Sequence, residues 1–328
     1  YGLGPETPVG QPKNKHMELG PRDRLSQAFW QEQQKGRVIQ GPMGDVVHLD
    51  LRHLGEKYLK ERLPFICELA KAYVGVDPVK EPIPVRPTAH YTMGGIETNG
   101  QCATRMPGLY ALGECASVGL HGANRLGSNS LSEIVVFGKV AGEQAAEFAA
   151  TQQHGNTQAL VAKAEALIKQ HLSLLDIDGT ENPADIRNEL GMSMEAGVGI
   201  YRTEELMQGT IDKINELKAR YKKIKINDKS SVFNTDLLYA IELGYMLDVA
   251  EAMAHSALNR KESRGSHQRL DGYEERDDVN FLKHTLSFYN GEGAPTIDYS
   301  DVKITKSQPA KRVYGSEGEK QDEAKKNG

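Results

Sequence analysis

The chain has 328 residues, a formal net charge of −5 and 38% hydrophobic residues, a length sufficient for two or three domains. The mildly acidic net charge does not indicate a nucleic-acid-binding protein. No apolar run approaches the roughly 20 residues that span a bilayer. The three cysteines, Cys67, Cys102 and Cys115, form no C-x-x-C pair, which excludes four-thiolate ligation of an iron–sulfur cluster within this chain; we predict no metal site and a reducing compartment.

Residues 1–80 are predicted to be a mixed α/β segment. A helix is expected over residues 21–34. Residues 46–51 alternate between apolar and polar side chains, which is typical of a strand. Residues 55–73 carry apolar side chains at helical spacing, and Pro64 is expected to bend that helix.

Residues 81–150 hold two glycine-rich loops around a short apolar run. Residues 108–113 are predicted to be a strand of a doubly wound sheet, with Glu114 just past its carboxyl end, where such sheets bind ligands. A helix is predicted to begin at Ser130, because residues 130–133 (SLSE) fit the capping box, in which the serine side chain caps the helix. The N–H groups and dipole of such an end favour an anionic group, although an ordinary capped helix is an equal alternative.

Residues 151–265 are predicted to form a bundle of antiparallel helices. Helices are expected to begin at Asn182, at Thr203 and at Asn234. The last of these, over residues 234–260, carries an apolar stripe that we predict to face the core without any cofactor. The members of this stripe are Leu238, Ile241, Tyr245, Val249 and Met253.

Residues 266–328 complete the chain. Apolar runs on either side of the sequence NGEG at 290–293 predict a β-hairpin. Residues 306–328 are rich in charge and are predicted to be weakly structured.

Three motifs carry most of the chemical information: residues 90–95 (HYTMGG), 108–115 (GLYALGEC) and 121–131 (HGANRLGSNSL). Together they resemble the flavoprotein subunit family of bacterial fumarate reductase and succinate dehydrogenase. The resemblance extends over essentially the whole chain, including residues 263–267 (SRGSH), for which a packing and salt-bridge role is expected. The chain has no G-x-G-x-x-G fingerprint after a strand, so we expect it to be the C-terminal part of a longer subunit.

The resemblance implies a fold that is α/β plus all-α. Residues 1–80 would be the last part of a capping domain that closes over the substrate. Residues 81–150 would be the returning segment of a doubly wound FAD-binding domain. Residues 151–265 would be a helical bundle domain, and residues 266–328 a small hairpin region with a charged tail. The implied cofactor is FAD, with its attachment histidine outside this chain.

The resemblance also implies the site residues. Arg22 would donate a proton to fumarate, which requires a carboxylate to replenish it because a guanidinium is a weak acid. His90 and Arg125 would hold the substrate carboxylates. Taken without the resemblance, Arg22 would be a solvated residue at a helix start and His90 a structural histidine. The residues implied to contact FAD are His90, Tyr91, Glu114, Arg125, Ser130 and Leu131.

The implied function is reduction of fumarate to succinate in anaerobic respiration, by hydride transfer from FAD in a quinol:fumarate reductase. The implied partners are an iron–sulfur subunit and membrane anchor subunits at the cytoplasmic side of the bacterial inner membrane. Two alternatives remain open: a succinate dehydrogenase flavoprotein, and a non-catalytic interaction module that keeps the fold. Residues 113–115 (GEC) favour fumarate reductase, and the presence of Arg22, His90 and Arg125 argues against the module. An isolated C-terminal part is expected to be inactive.

Overall fold

The computed structural model describes residues 21–41, 44–153, 155–291, 293–306 and 308–310. The chain divides into two compact units. One consists of residues 1–90 and 307–328, and the other of residues 91–306. Most of the C-terminal segment that was predicted to be weakly structured, residues 311–328, lies outside the described residues.

The first unit contains helix α1 (Arg22–Gln34) and a three-stranded antiparallel sheet. The sheet consists of β1 (Ile39–Gly41), β2 (Gly44–Leu49) and β3 (Ile83–Val85), with β2 in the centre. Both α1 and the strand predicted over residues 46–51 are therefore confirmed, with small shifts at their ends.

The predicted helix over residues 55–73 consists of two helices, α2 (Glu56–Arg62) and α3 (Pro64–Val74). Pro64 is the first residue of α3. Proline lacks the N–H that a continuing helix would need, but it fits the first helical position, where that N–H has no partner. The residue thus separates two helices where a bend was expected.

The second unit begins with two short strands, β4 (Ile96–Glu97) and β5 (Ala116–Ser117), which pair in parallel. Residues 108–113 do not form the predicted strand. Tyr110 instead bridges antiparallel to Ala103, so the segment folds back on the chain just before it. The prediction was wrong because an apolar pattern does not specify which neighbour satisfies the backbone hydrogen bonds.

Helix α4 (Asn129–Thr151) begins one residue before the predicted start at Ser130. The predicted cap is wrong. The residue that precedes the helix is Ser128, in a left-handed conformation with φ of 65°, and no side chain caps the helix. Glu133, which the capping box would direct back to the helix start, is instead buried. A tertiary contact of this carboxylate therefore overrides the local motif.

The bundle consists of α6 (Pro183–Val198), α7 (Glu204–Tyr221) and α8 (Thr235–Asn259). Helix α5 (Thr157–Leu172) precedes the bundle and has no buried residue. The contiguous apolar core lies among α6, α7 and α8. Its most buried side chains include Ile186, Met207, Ile214, Leu217, Leu243 and Leu247.

The three predicted helix starts are confirmed. The side chains of Asn182, Thr203 and Asn234 accept hydrogen bonds of 3.0, 3.2 and 2.8 Å from first-turn N–H groups. Each satisfies one of the donors that a helix start leaves without an intrahelical partner. Cap chemistry was thus readable from the sequence where no tertiary contact competed with it.

The prediction that the apolar stripe of α8 faces the core is wrong. Leu238, Tyr245 and Val249 are 51%, 57% and 58% exposed, whereas Leu243 and Leu247, on a different face, are buried. α8 is apolar on more than one side, so its own pattern does not determine which side packs. No helix in the described part of the chain combines the length and the hydropathy needed to cross a membrane.

The predicted C-terminal hairpin is confirmed. β6 (Lys283–Asn290) and β7 (Gly293–Asp301) pair antiparallel, with an irregularity between Phe288 and Asn290. The second strand was predicted over residues 296–304. β7 begins at Gly293 and ends at Asp301, so it starts and ends three residues earlier.

Candidate active site

The predicted site residues are divided between the two units. Arg22, the first residue of α1, and His90 are exposed residues of the first unit. The predicted clamp of His90 and Arg125 joins residues of different units and stays a prediction. The site residues in the second unit are Tyr91, Glu114, Arg125, Ser130 and Leu131.

Within the second unit, Arg125 lies over the ring of Tyr91. Its guanidinium carbon is 4.8 Å from the ring centroid, a distance at which the cation is attracted to the face of the ring. One terminal nitrogen, Nη1, donates a 3.1 Å hydrogen bond to the carbonyl of Leu126. The buried Nε has no hydrogen-bond partner among the described residues. An unsatisfied buried donor on a charged group costs free energy.

Glu133 binds the Tyr91 side of the Arg125–Tyr91 pair. It is 4% exposed and accepts a 2.8 Å hydrogen bond from the hydroxyl of Tyr91. Nε2 of His121 lies 2.7 Å from the same carboxylate oxygen. Burial, followed by the hydrogen bond to Glu133, raises the pKa of Tyr91 to about 12, so Tyr91 remains a neutral donor at physiological pH.

Sequence reasoning missed this function of Glu133. The motif of residues 130–133 assigned the side chain to a cap, and a capping carboxylate and a buried one have the same local sequence. His121 was part of a quoted motif but had no assigned role. Its Nδ1 is buried and has no hydrogen-bond partner in the part of the chain that the structure describes.

Glu114 joins two of the sequence motifs. Its Oε1 accepts a 2.9 Å hydrogen bond from the backbone N–H of Thr92, the residue after Tyr91. Glu114 lies in a single helical turn, residues 113–115, immediately before β5. The carboxylate is exposed, so its other oxygen is accessible to a ligand hydroxyl.

The loop before α4 contains a glycine that leaves backbone open to close approach. No side chain caps α4. The N–H groups of Asn129 and Leu131 in its first turn donate to the carbonyls of Leu126 and Ser128, and the positive end of the helix dipole lies at this loop. A Cβ atom added at Gly127 would meet no atom within 4 Å, so the backbone there is open to close approach. Among the described residues, no group of three or more His, Cys, Asp or Glu side chains could hold a metal ion.

Comparison with known proteins shows what this chain is similar to. Residues 9–131 match the FAD binding domain model, and residues 187–314 match the fumarate reductase flavoprotein C-terminal model. The fumarate reductase flavoprotein subunits of Serratia sp. and Escherichia coli are 69% and 68% identical to this chain, and both matches cover 99% of this chain. The chain is therefore related to the fumarate reductase flavoprotein subunits along almost its whole length.

A solved structure agrees with this relationship. The structure described as quinol-fumarate reductase with menaquinol molecules is 69% identical, with a TM-score of 0.86 over 94% of this chain and 54% of that chain. The chain spans about half the length of the fumarate reductase flavoproteins that it matches, 55% for the Serratia subunit. The resemblance drawn from the three motifs and the mixed helical and sheet fold are confirmed, and the match to the FAD binding domain model supports FAD as the cofactor.

Proposed function

We propose that the chain is part of the flavoprotein subunit of a quinol:fumarate reductase, which reduces fumarate to succinate. The observation that carries the proposal is the 69% identity to a fumarate reductase flavoprotein along 99% of this chain. The related structure is of a quinol-fumarate reductase, which supports an assembly with iron–sulfur and membrane anchor subunits. We place that assembly at the cytoplasmic side of the inner membrane.

Arg125 would bind one substrate carboxylate. A guanidinium meets a carboxylate through two parallel N–H groups. Nη1 donates a hydrogen bond to the carbonyl of Leu126, so the substrate would be met by other N–H groups of the guanidinium. His90 would hold the second carboxylate. Both contacts withdraw electron density from the carbon–carbon double bond and make it more electrophilic.

FAD, when bound, supplies the hydride. Tyr91, Glu114, Ser130 and Leu131 would hold it, with Glu114 on the hydroxyl groups of its ribitol or ribose. The start of α4 would stabilise negative charge on the ring by about 0.3–2 kcal/mol. For a two-electron carrier this corresponds to a potential shift on the order of 10–40 mV.

Arg22 would protonate the second alkene carbon, because hydride addition alone leaves a carbanion next to a carboxylate. This residue is the first of α1 and is exposed. A guanidinium is a weak acid, so a carboxylate must return the proton to it after each turnover. We do not assign that carboxylate to Asp23.

The same residues would serve the reverse reaction, and succinate dehydrogenase stays the second hypothesis. Fumarate reduction is favoured because the compared subunits with 69% and 68% identity are fumarate reductases. The presence of Arg22, His90 and Arg125 together argues against a module that merely keeps the fold.

The test is fumarate reduction by the complete subunit in its complex, driven by a reduced viologen dye. Arg22→Ala is expected to lower kcat about 100-fold or more with a much smaller change in KM. Arg24→Ala, two residues along the same helix, is the matched control and should stay near wild type. If Arg22→Ala raises only KM, Arg22 binds substrate and the acid is elsewhere. If the wild-type complex does not reduce fumarate, the proposed function is wrong.

A further inference from the structure

A turn far along the chain contacts the loop that carries Arg125. The backbone N–H and the hydroxyl of Ser266 both donate to the carbonyl oxygen of Ala123, at 2.9 and 2.8 Å. Ala123 precedes Arg125 by two residues, whereas Ser266 is 143 residues away from Ala123. One carbonyl of the site loop is therefore held by two donors from the C-terminal part of the second unit.

The contact requires glycine next to Ser266. Gly265 has a φ of +59°, and a Cβ atom added there would lie 2.5 Å from the carbonyl oxygen of Ala123. The obstructing atoms are the carbonyl group and the Cβ of Ala123, which cannot move aside as the end of a flexible side chain can. Any larger residue at Gly265 must therefore push the loop away from the turn.

The turn itself is a firm support. Arg264 and His267 exchange two backbone hydrogen bonds, of 2.8 and 3.0 Å, across it. The side chain of Arg264 binds both carboxylate oxygens of Glu262, at 2.7 and 2.9 Å, and Glu262 is fully buried. Arg260 binds the same carboxylate at 2.7 Å. A buried polar network whose members are paired in this way makes the local structure rigid.

Arg125 is thus fixed from two sides. Tyr91 lies under its guanidinium, and the turn of Gly265 and Ser266 holds the backbone of its loop at Ala123. We propose that Gly265 and Ser266 are positioning residues, which set Arg125 at the place where it binds a carboxylate of the substrate. This inference rests on the proposed function of Arg125.

The decisive comparison is Gly265→Ala against Gly272→Ala in the complete subunit and its complex. Gly272 also has a positive φ, of +91°, but a Cβ atom added there would meet no atom within 4 Å. Both variants carry the strain of alanine in a left-handed conformation, and only Gly265→Ala displaces Ala123. Because a misplacement of about 1 Å can cost about 100-fold, we expect Gly265→Ala to lower kcat/KM for fumarate about 10-fold or more, mainly through KM. Gly272→Ala should stay within about 3-fold.

A second measurement does not depend on activity. Amide hydrogen exchange of residues 120–128 should speed up in Gly265→Ala and stay unchanged in Gly272→Ala. Ser266→Ala keeps the N–H bond and loses one hydroxyl bond, so exchange there should rise about 2- to 10-fold, the range of one net hydrogen bond. Ser266→Ala decides the matter if Gly265→Ala does not fold.

The outcomes separate the two proposals. If the variants at Gly265 and Ser266 leave exchange in residues 120–128 as in wild type, the turn does not position the loop and the inference is overturned. Faster exchange with unchanged kcat/KM also overturns it, because Arg125 would then not need the support. A wild-type complex that fails to reduce fumarate overturns the proposed function, while the exchange measurement still shows whether the turn holds the loop.

Discussion

The hydroxyl of Tyr91 and Nε2 of His121 meet at one oxygen atom, Oε2 of the buried Glu133, at 2.8 and 2.7 Å. The two rings are packed edge to face, with centroids 5.1 Å apart. A single carboxylate in α4 therefore joins the HYTMGG motif to the loop that carries Arg125. The orientation of the ring beneath Arg125 depends on this carboxylate, although it is not one of the predicted site residues.

Replacing Glu133 should destabilise the second unit. Glu133→Ala leaves the Tyr91 hydroxyl and His121 Nε2 without their acceptor, and an unsatisfied buried polar group costs about 1–3 kcal/mol. We expect the free energy of unfolding, measured by urea denaturation, to fall by about 2–4 kcal/mol. Glu143→Ala, at an exposed site of the same helix, should change it by less than about 0.5 kcal/mol. Equal effects of the two variants would show that the buried contact contributes nothing.

Replacing Glu262 should lower the free energy of unfolding more than replacing a more accessible glutamate that also pairs with two cations. It is fully buried between Arg260 and Arg264, and removing one partner of a buried ion pair leaves charge without compensation. Glu262→Gln is expected to lower the free energy of unfolding by about 3–5 kcal/mol. Glu32→Gln, which removes an exposed pair with Arg37, should cost no more than about 1 kcal/mol. Comparable melting temperatures for these variants would contradict the assignment.

His267 should make stability depend on pH. Burial, and then the positive charge of Arg202, lower its pKa from 6.5 to about 4 in the folded chain. Its Nδ1 accepts a hydrogen bond from Arg202 at 2.8 Å, and its Nε2 donates to the carbonyl of Arg260 at 2.9 Å. The bond from Arg202 requires an unprotonated Nδ1, so protonation of the ring removes this bond and places a second cation beside Arg202.

The depressed pKa of His267 determines the direction in which stability changes with pH. Between pH 6.5 and pH 4 the unfolded chain binds the proton and the folded chain does not, so stability falls as pH decreases through this window. The stabilisation is fully present above pH 6.5 and amounts to about 3 kcal/mol. In urea titrations, His267→Asn should show a shallower loss of stability over the window than wild type. His53→Asn, at an exposed histidine, should keep the wild-type slope; parallel slopes for all three proteins would rule out His267 as the source.

Purified alone, this chain should contain little flavin. We expect the attachment histidine and the phosphate-binding loop in the part of the subunit that its relatives have and this chain does not span. The isolated chain should therefore lack the absorption band near roughly 450 nm that bound flavin gives, and it should not reduce fumarate. Stoichiometric flavin in the purified chain would show that its own residues complete the site.

The sequence by itself determined the helices that carry their own start signals. Helices α6, α7 and α8 begin at Asn182, Thr203 and Asn234 as predicted, and these side chains cap them. A cap bond joins residues two or three apart and needs no distant neighbour. The SLSE motif placed the start of α4 within one residue, although its predicted cap does not form. The resemblance to a known family named Arg125 and Glu114 as site candidates.

Tertiary structure alone decided the contacts between distant residues. The stripe of α8 failed because α8 is apolar on more than one side and only its neighbours choose the buried face. The SLSE motif failed because Glu133 gains more from two buried hydrogen-bond donors than from a cap on the helix start. The hydrogen bonds from Ser266 to the carbonyl of Ala123 join residues more than 140 positions apart. No local sequence pattern specifies a partner at that separation. Local hydrogen bonds are encoded in local sequence, whereas burial and long-range pairing are properties of the folded chain.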